Sequence, residues 1–177
     1  MTMTATEPTA TELTTVAPSR WSLDRDGSSV GFTVKTMWGL IPVRGRFDRF
    51  AGSYEVGPGG TTIEFTIDAD SLDTGHATRD KHLRSSDFFH VVEHPRVRFT
   101  STHVTHVTSE ILVVTGYLEA AGKVVPLELG ATVVSVDGAL EMQATTTVDP
   151  RQFGMSSGRL GMIRPPATLH VKTRLTR

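Results

Sequence analysis

Apolar residues return at every second position through stretch after stretch of this chain, a period that only strands with one face turned to an interior can use. After Trp21 and Leu23 and a turn expected over residues 24–28, the alternation runs Val30, Phe32, Val34, Thr36, Trp38 against Gly31, Thr33 and Lys35. It breaks over residues 39–43, which include Pro42, and resumes over residues 44–56 with Phe47, Phe50, Tyr54 and Val56. The change of parity between Phe47 and Phe50 predicts a β-bulge at Asp48 and Arg49, with Gly45 and Gly52 permitting the sharp coiling of a closing sheet. Past the turn Gly57-Pro58-Gly59-Gly60 come Ile63, Phe65, Ile67 and Ala69, again on one parity. Further strands are expected over residues 97–106, 111–118, 123–129, 131–136, 140–148 and 169–175. Ala121-Gly122 and Asp137-Gly138 supply hairpin turns, Asp-Gly being a strong signal for one.

Only residues 74–101 break this rhythm with a helical pattern. Residues 79–84 hold neither Gly nor Pro, and Ser85 or Ser86 can cap a second short turn carrying Asp87, Phe88 and Phe89. Pro95 ends the helix, because its ring disfavours the α region at His94. Leu83, Phe88 and Phe89 then form an apolar plug over one end of a sheet. About eight half-apolar strands around one helical insert argue for an antiparallel barrel, since a parallel sheet needs repeated crossover helices and closure removes adhesive edges. An open sandwich is the alternative that the pattern leaves.

Composition excludes several functions. The 177 residues form one domain, and a net charge of −1 with scattered Lys and Arg offers no electrostatic footprint for nucleic acid. Without cysteine there is no disulfide, thiol nucleophile or thiolate metal site. Residues 1–19, rich in Thr, Ala, Pro and Glu, read as a disordered tail ahead of a barrel domain at 20–177. That tail has neither the basic start nor the apolar run of a secretory signal or membrane span, so a cytoplasmic location is expected.

The runs W-x-L-D at residues 21–24, S-x-V-G-F-x-V-K at 28–35, V-R-G-R-F-x-x-F-x-G at 43–52, R-D-K-H-L-R-S-S-D-F-F at 79–89 and H-P-R-V-R-F-T-S at 94–101 together resemble the YceI-like family. The resemblance spans Trp21 to the C-terminus. It departs from the family pattern at residues 119–126, where the Gly and Lys are kept, and at Gln152, which replaces an acid in a run like R-x-D-F-G. It implies an all-β fold, an antiparallel eight-stranded lipocalin-like β-barrel with a short helical insert capping one end. It also implies a carrier of a long-chain isoprenoid, such as a polyprenyl or isoprenoid quinone, or of a similar fatty lipid. No cofactor other than that lipid is implied. Transient membrane contact and a homodimer stay open.

On that resemblance the chain-contacting residues are Phe32, Val34, Trp38, Phe65, Ile67, Phe99, Leu140, Met142 and Val171, joined by Leu83, Phe88 and Phe89 of the plug, which can gate entry. An eight-stranded barrel can equally be filled by its own side chains, and a non-catalytic interaction or stress-response module with a solid barrel is the second reading. Arg79, His82 and Arg84 are head-group candidates. A catalytic triad can be drawn from Asp80, His82 and Ser85 or Ser86, but no G-x-S-x-G turn surrounds either serine, and no enzyme is expected. His76, His82, His90 and His94 crowd one segment without an H-E-x-x-H spacing, so structural roles are expected and no metal site is assigned.

Overall fold

One long strand organises the sheet. In the computed structural model, which describes residues 18–36, 41–155 and 163–177, strand β1 (Ser19–Thr36) lends both its edges along most of its length. One edge pairs antiparallel with the last strand, β10 (Ile163–Thr176), as in Leu23↔Leu175 and Phe32↔Leu169. The other pairs in succession with β3 (Phe50–Gly57), as in Trp21↔Tyr54, and with β2 (Ile41–Phe47), as in Phe32↔Gly45. The remaining strands are β4 (Gly60–Asp68), β5 (Leu72–Asp73), β6 (Arg96–His106), β7 (Ile111–Ala120), β8 (Lys123–Val136) and β9 (Ala139–Val148). Each pairs with its neighbour in the order β10-β9-β8-β7-β6-β4-β3-β1, and the β1–β10 pairing closes the ring. Since β2 continues the line of β3 and β5 that of β4, the segments form a closed antiparallel barrel of 8 strands, as the alternation predicted. Trp38 and residues 1–17 lie outside the described residues, while Ser19, expected as the end of a tail over 1–19, already belongs to β1.

The parity change at Phe47 and Phe50 is real, and both rings are buried. Its cause is larger than a bulge: the strand breaks at Asp48 and Arg49, and the turn Ala69–Ser71 fits into the break. There Asp48 N donates to Ser71 O at 3.2 Å, Arg49 N donates to Ser71 Oγ at 3.0 Å, and Ser71 Oγ donates to Asp68 O at 2.7 Å. Two other expectations need correction. Residues 24–28 are no turn between strands but a register shift between Asp24 and Ser29 inside β1, and Gly130 does not divide residues 123–136, which run as one strand. Ala121-Gly122 and Asp137-Gly138 do make the hairpin turns, with φ of 48° and 72° and of 50° and 77°. Positive φ at both central residues is what the right-handed twist of the flanking strands asks of a two-residue turn.

β8 pairs with β7 over its first part, Ala120↔Lys123 to Ile111↔Thr132, but with β9 only from Ala131 to Val136. The two strands diverge beyond Ala131, and the turn Pro150–Phe153 returns Phe153 into the core cluster that also takes in Val125 and Leu127. Helix α1 (Ala77–Arg84) crosses the same end of the barrel. His76 caps it, Nδ1 accepting from Arg79 N at 3.4 Å, and Leu83 is its buried apolar residue.

The Ser71 hydroxyl satisfies a backbone donor in a buried break, so Ser71→Ala leaves Arg49 N–H without its partner. A loss of about 1–3 kcal/mol is expected in urea denaturation, with little change in circular dichroism.

Candidate functional site

The inward faces of the strands do not fill the barrel. Two clusters of buried side chains occupy its length. One gathers around Phe32, Phe47, Leu83, Phe88 and Phe153, the other around Trp21, Tyr54, Leu112, Met142 and Leu175, and Leu23 and Phe99 touch both. Between and through them runs a cavity of about 220 Å³. This exceeds the roughly 150 Å³ apolar void that takes up benzene, yet falls short of the roughly 300–1,000 Å³ of a drug-sized site. A long chain therefore enters only as the lining side chains repack around it.

What keeps this space from closing is a contact between aromatic rings and cross-strand glycines. Phe32 stands opposite Gly45, and Phe65 opposite Gly52. A Cβ on Gly45 would lie 2.3 Å from Phe32 Cζ, one on Gly52 2.8 Å from Phe65 Cδ2, and one on Gly116 2.9 Å from Phe99 Cζ. Each ring thus lies down along the wall over a bare backbone instead of reaching across the lumen. Tilted and stacked neighbours hold the rings there, Phe47 at 5.7 Å from Phe32 and Phe50 at 6.0 Å from Phe65.

The wall is apolar almost throughout. Among the described residues that line it there is no His, Lys or Arg, and its polar members are Ser53, Tyr54, Glu64, Gln143, Thr146 and Thr173, of which Glu64 and Gln143 are exposed. Burial pushes the Tyr54 hydroxyl above the ordinary phenol range, against a smaller opposite effect of its hydrogen bond with Thr61, so it stays neutral. Such a surface can exclude water and hold an apolar chain; it presents no converging nucleophile, base or acid pair.

The structure places the residues singled out from the sequence as follows. Phe32, Val34, Phe65, Ile67, Leu83, Phe88, Phe89, Phe99, Met142 and Val171 all border the cavity. Leu140 does not: two positions from Met142 on the same face of β9, it packs into the second cluster beyond the cavity wall. Phe88 is buried with His82 edge-on at 5.1 Å, and Phe89 meets Phe47 edge-on at 5.9 Å, so the two rings seal the helical end.

Arg79, His82 and Arg84 lie outside the wall, and the arginines have other work. Arg79 Nε donates to Thr74 Oγ1 at 2.7 Å and its Nη2 to Thr74 O at 2.8 Å. Arg84 donates to Asp70 O at 3.0 Å and to Leu72 O, and pairs with Asp70 Oδ1 at 3.1 Å. Both guanidinium groups tie the helix to residues 70–74, an assignment that stem position in the sequence does not reveal. The drawn triad does not assemble. Buried Asp80 accepts from Thr74 N at 3.0 Å and from Thr74 Oγ1, while Ser85 Oγ donates to the His82 carbonyl at 2.6 Å. One grouping was missed: His90, Glu93 and His94 bring a ligand atom each within 4.8 Å of one another. The spacing H-x-x-E-H, two imidazoles one helical turn apart, was the signal for it.

Comparison with known proteins agrees with this geometry. The family model of the YceI-like domain matches residues 21–175. A UPF0312 protein of Shewanella baltica is 33% identical over 160 residues, 85% of this chain and 81% of that protein. One from Pectobacterium carotovorum is 35% identical over 121 residues, where the match spans 66% of this chain and 62% of the relative's length. Among solved structures, BcnA of Burkholderia cenocepacia superposes with a TM-score of 0.78 at 18% identity, covering 86% of this chain and 98% of BcnA. A polyisoprenoid binding domain from Saccharophagus degradans, implicated in plant cell wall breakdown, superposes with a TM-score of 0.73 at 16% identity, covering 88% and 97%. At these identities the structural likeness is one of fold.

If bare backbone under the rings sets the width of the lumen, Gly45→Ala must turn the Phe32 ring inward. Weaker uptake of a fluorescent fatty-chain probe is expected in titration, together with a loss of about 1–3 kcal/mol in denaturant unfolding from overpacking.

Proposed function

The chain belongs to the YceI-like domain family, and from that premise we propose that it binds, stores or carries a long-chain isoprenoid or similar amphiphilic lipid inside its barrel, without catalysing a reaction on it. The observation that carries this reading is the apolar cavity of about 220 Å³ held open by rings laid over glycines. A barrel evolved only as a scaffold gains stability from filling such a space, since each unfilled methyl-sized void forfeits dispersion contacts. The name of the Saccharophagus degradans domain supports the isoprenoid class. A slender, flexible, apolar chain suits a narrow lumen without charged anchors. Burial of such a chain is non-directional, so tolerance among chain types goes with it.

The helical end is the proposed gate. Phe88 and Phe89 belong to the turn after α1, not to the sheet ladder, so they can swing without breaking strand pairing. The lining, apolar but for Tyr54, an exposed Glu64 and a few uncharged polar side chains, supports a binding role over hydrolysis.

Two experiments test the proposal. Mass spectrometry of organic extracts from natively purified protein should show a stoichiometric lipid, and the purified protein should take up an added prenyl quinone. Ala144→Phe, which fills the lumen from β9, should cut that uptake about tenfold while circular dichroism stays that of a barrel; a folded variant with unaltered uptake removes the cavity from the binding site.

For the gate, Phe88→Leu keeps an apolar residue but shortens the plug. Faster lipid exchange at temperatures where the protein remains folded is expected. Exchange that changes only in proportion to global unfolding makes Phe88 a plain core residue.

A further inference from the structure

We infer that His90, Glu93 and His94 form a binding site for a divalent transition-metal ion of the zinc class, outside the lipid cavity. The ligand atoms of the three side chains lie within 4.8 Å of one another. Side-chain rotation brings such a set to about 3.3 Å, the edge of a tetrahedron whose metal–ligand bonds are about 2.0–2.1 Å. The backbone already has the required form: His94 N donates to His90 O at 2.8 Å and Glu93 N to the same carbonyl at 3.1 Å, a single helical turn that stacks residues 90 and 94 on one side. The two imidazole rings meet edge-on with centroids 5.6 Å apart, and Glu93 Oε1 stands 3.8 Å from His90 Nε2.

Two features distinguish this turn from a chance meeting of surface side chains. His90 holds a φ of 49°, a left-handed conformation that few residues other than Gly adopt, Asn, Asp and His most readily among them, kept in place by its amide donating to Ser85 O at 2.9 Å. The His94 ring lies on the β7–β8 turn, where a Cβ on Gly122 would come within 2.7 Å of its Nε2. Glycine there leaves room for the ring and fixes its position. Two imidazoles and one carboxylate suit zinc, cobalt or nickel, whereas calcium and magnesium favour sites built wholly of oxygen. Three protein ligands leave a fourth position for water.

The consequence is mechanical. The turn follows directly on Phe88 and Phe89, and His94 rests on the neighbouring hairpin, so an ion bridging residues 90 and 94 clips the plugged end of the barrel. No residue of the set lines the cavity, so the site holds whether or not the barrel carries a lipid.

Isothermal titration of zinc chloride into the metal-free full chain tests it. One zinc ion per chain is expected, with a rise in Tm, and Glu93→Gln, His94→Gln and His90→Asn should each weaken binding at least about tenfold. Asn tolerates the positive φ at residue 90, and Glu93 is exposed, so these variants keep the fold, which circular dichroism checks. A His103→Gln/His106→Gln double variant, altered only at exposed histidines elsewhere, should bind as the parent does. Absence of saturable one-to-one binding, equal affinity in Glu93→Gln and His94→Gln, or an equal loss in the control variant overturns the assignment.

Discussion

The lumen exists because three phenylalanines have somewhere to lie. A ring on the inner face of an eight-stranded barrel naturally points at the axis, and a few of them are enough to fill it. Phe32, Phe65 and Phe99 instead rest on the Cα atoms of Gly45, Gly52 and Gly116, contacts that any side chain at those glycines would forbid. Cavity width, the apolar character of the wall and the room left for a chain all follow from this arrangement. The same glycines lack a side chain of their own to pack, and the rings supply the missing cover.

Charge is handled with equal economy. The ionic groups of the helical end are directed at backbone carbonyls and at one another on the outside: Arg79 to Thr74, Arg84 to Asp70 and Leu72, Arg49 to Asp68 at 2.8 Å. The hydrogen bond from Arg49 holds the Asp68 carboxyl below its usual range, with Asp70 N–H adding to the effect. Its contribution is present at neutral pH and is lost as acid protonates the carboxylate. Both groups are substantially exposed, so the pair guides the break between β2 and β3 more than it stabilises the fold. Among the described residues, the cavity wall carries no cation, and its carboxylate, Glu64, is exposed.

Much of this was legible in the alternation of side chains, because a period of two has a single structural meaning when turns punctuate it. Phe32, Phe65 and Met142 could be assigned to the interior on parity alone. Parity says nothing, however, about which inward side chain reaches the open space, which is why Leu140 was grouped with Met142 although it packs against the second cluster and does not border the cavity. Polar partners were the least legible. Arg79 and Arg84 read as free cations because their acceptors, carbonyls of residues 70–74, leave no trace in side-chain type. Gly130 read as a break, yet a Cβ there would meet nothing within 4 Å, so its freedom is unused and the strand continues. His90 and His94 were read within a crowd of four histidines, without Glu93 and not as a turn, since nothing in composition announces a left-handed histidine.

The seam of the barrel is formed by β1 and β10, the first and last strands of the domain, joined from Ser22↔Thr176 to Thr36↔Ile163. While the chain emerges from the ribosome, β1 already has β2 and β3 to pair with, but its second edge waits until β10 has been made. Contacts of such long sequence separation form late and slowly. Until then the curved sheet is an open trough whose apolar lining faces water or a chaperone. Closure of the lumen thus waits for β10, and under the proposed carrier role the nascent trough, with its lining exposed along the gap, can accept a chain lengthwise before the seam is drawn shut.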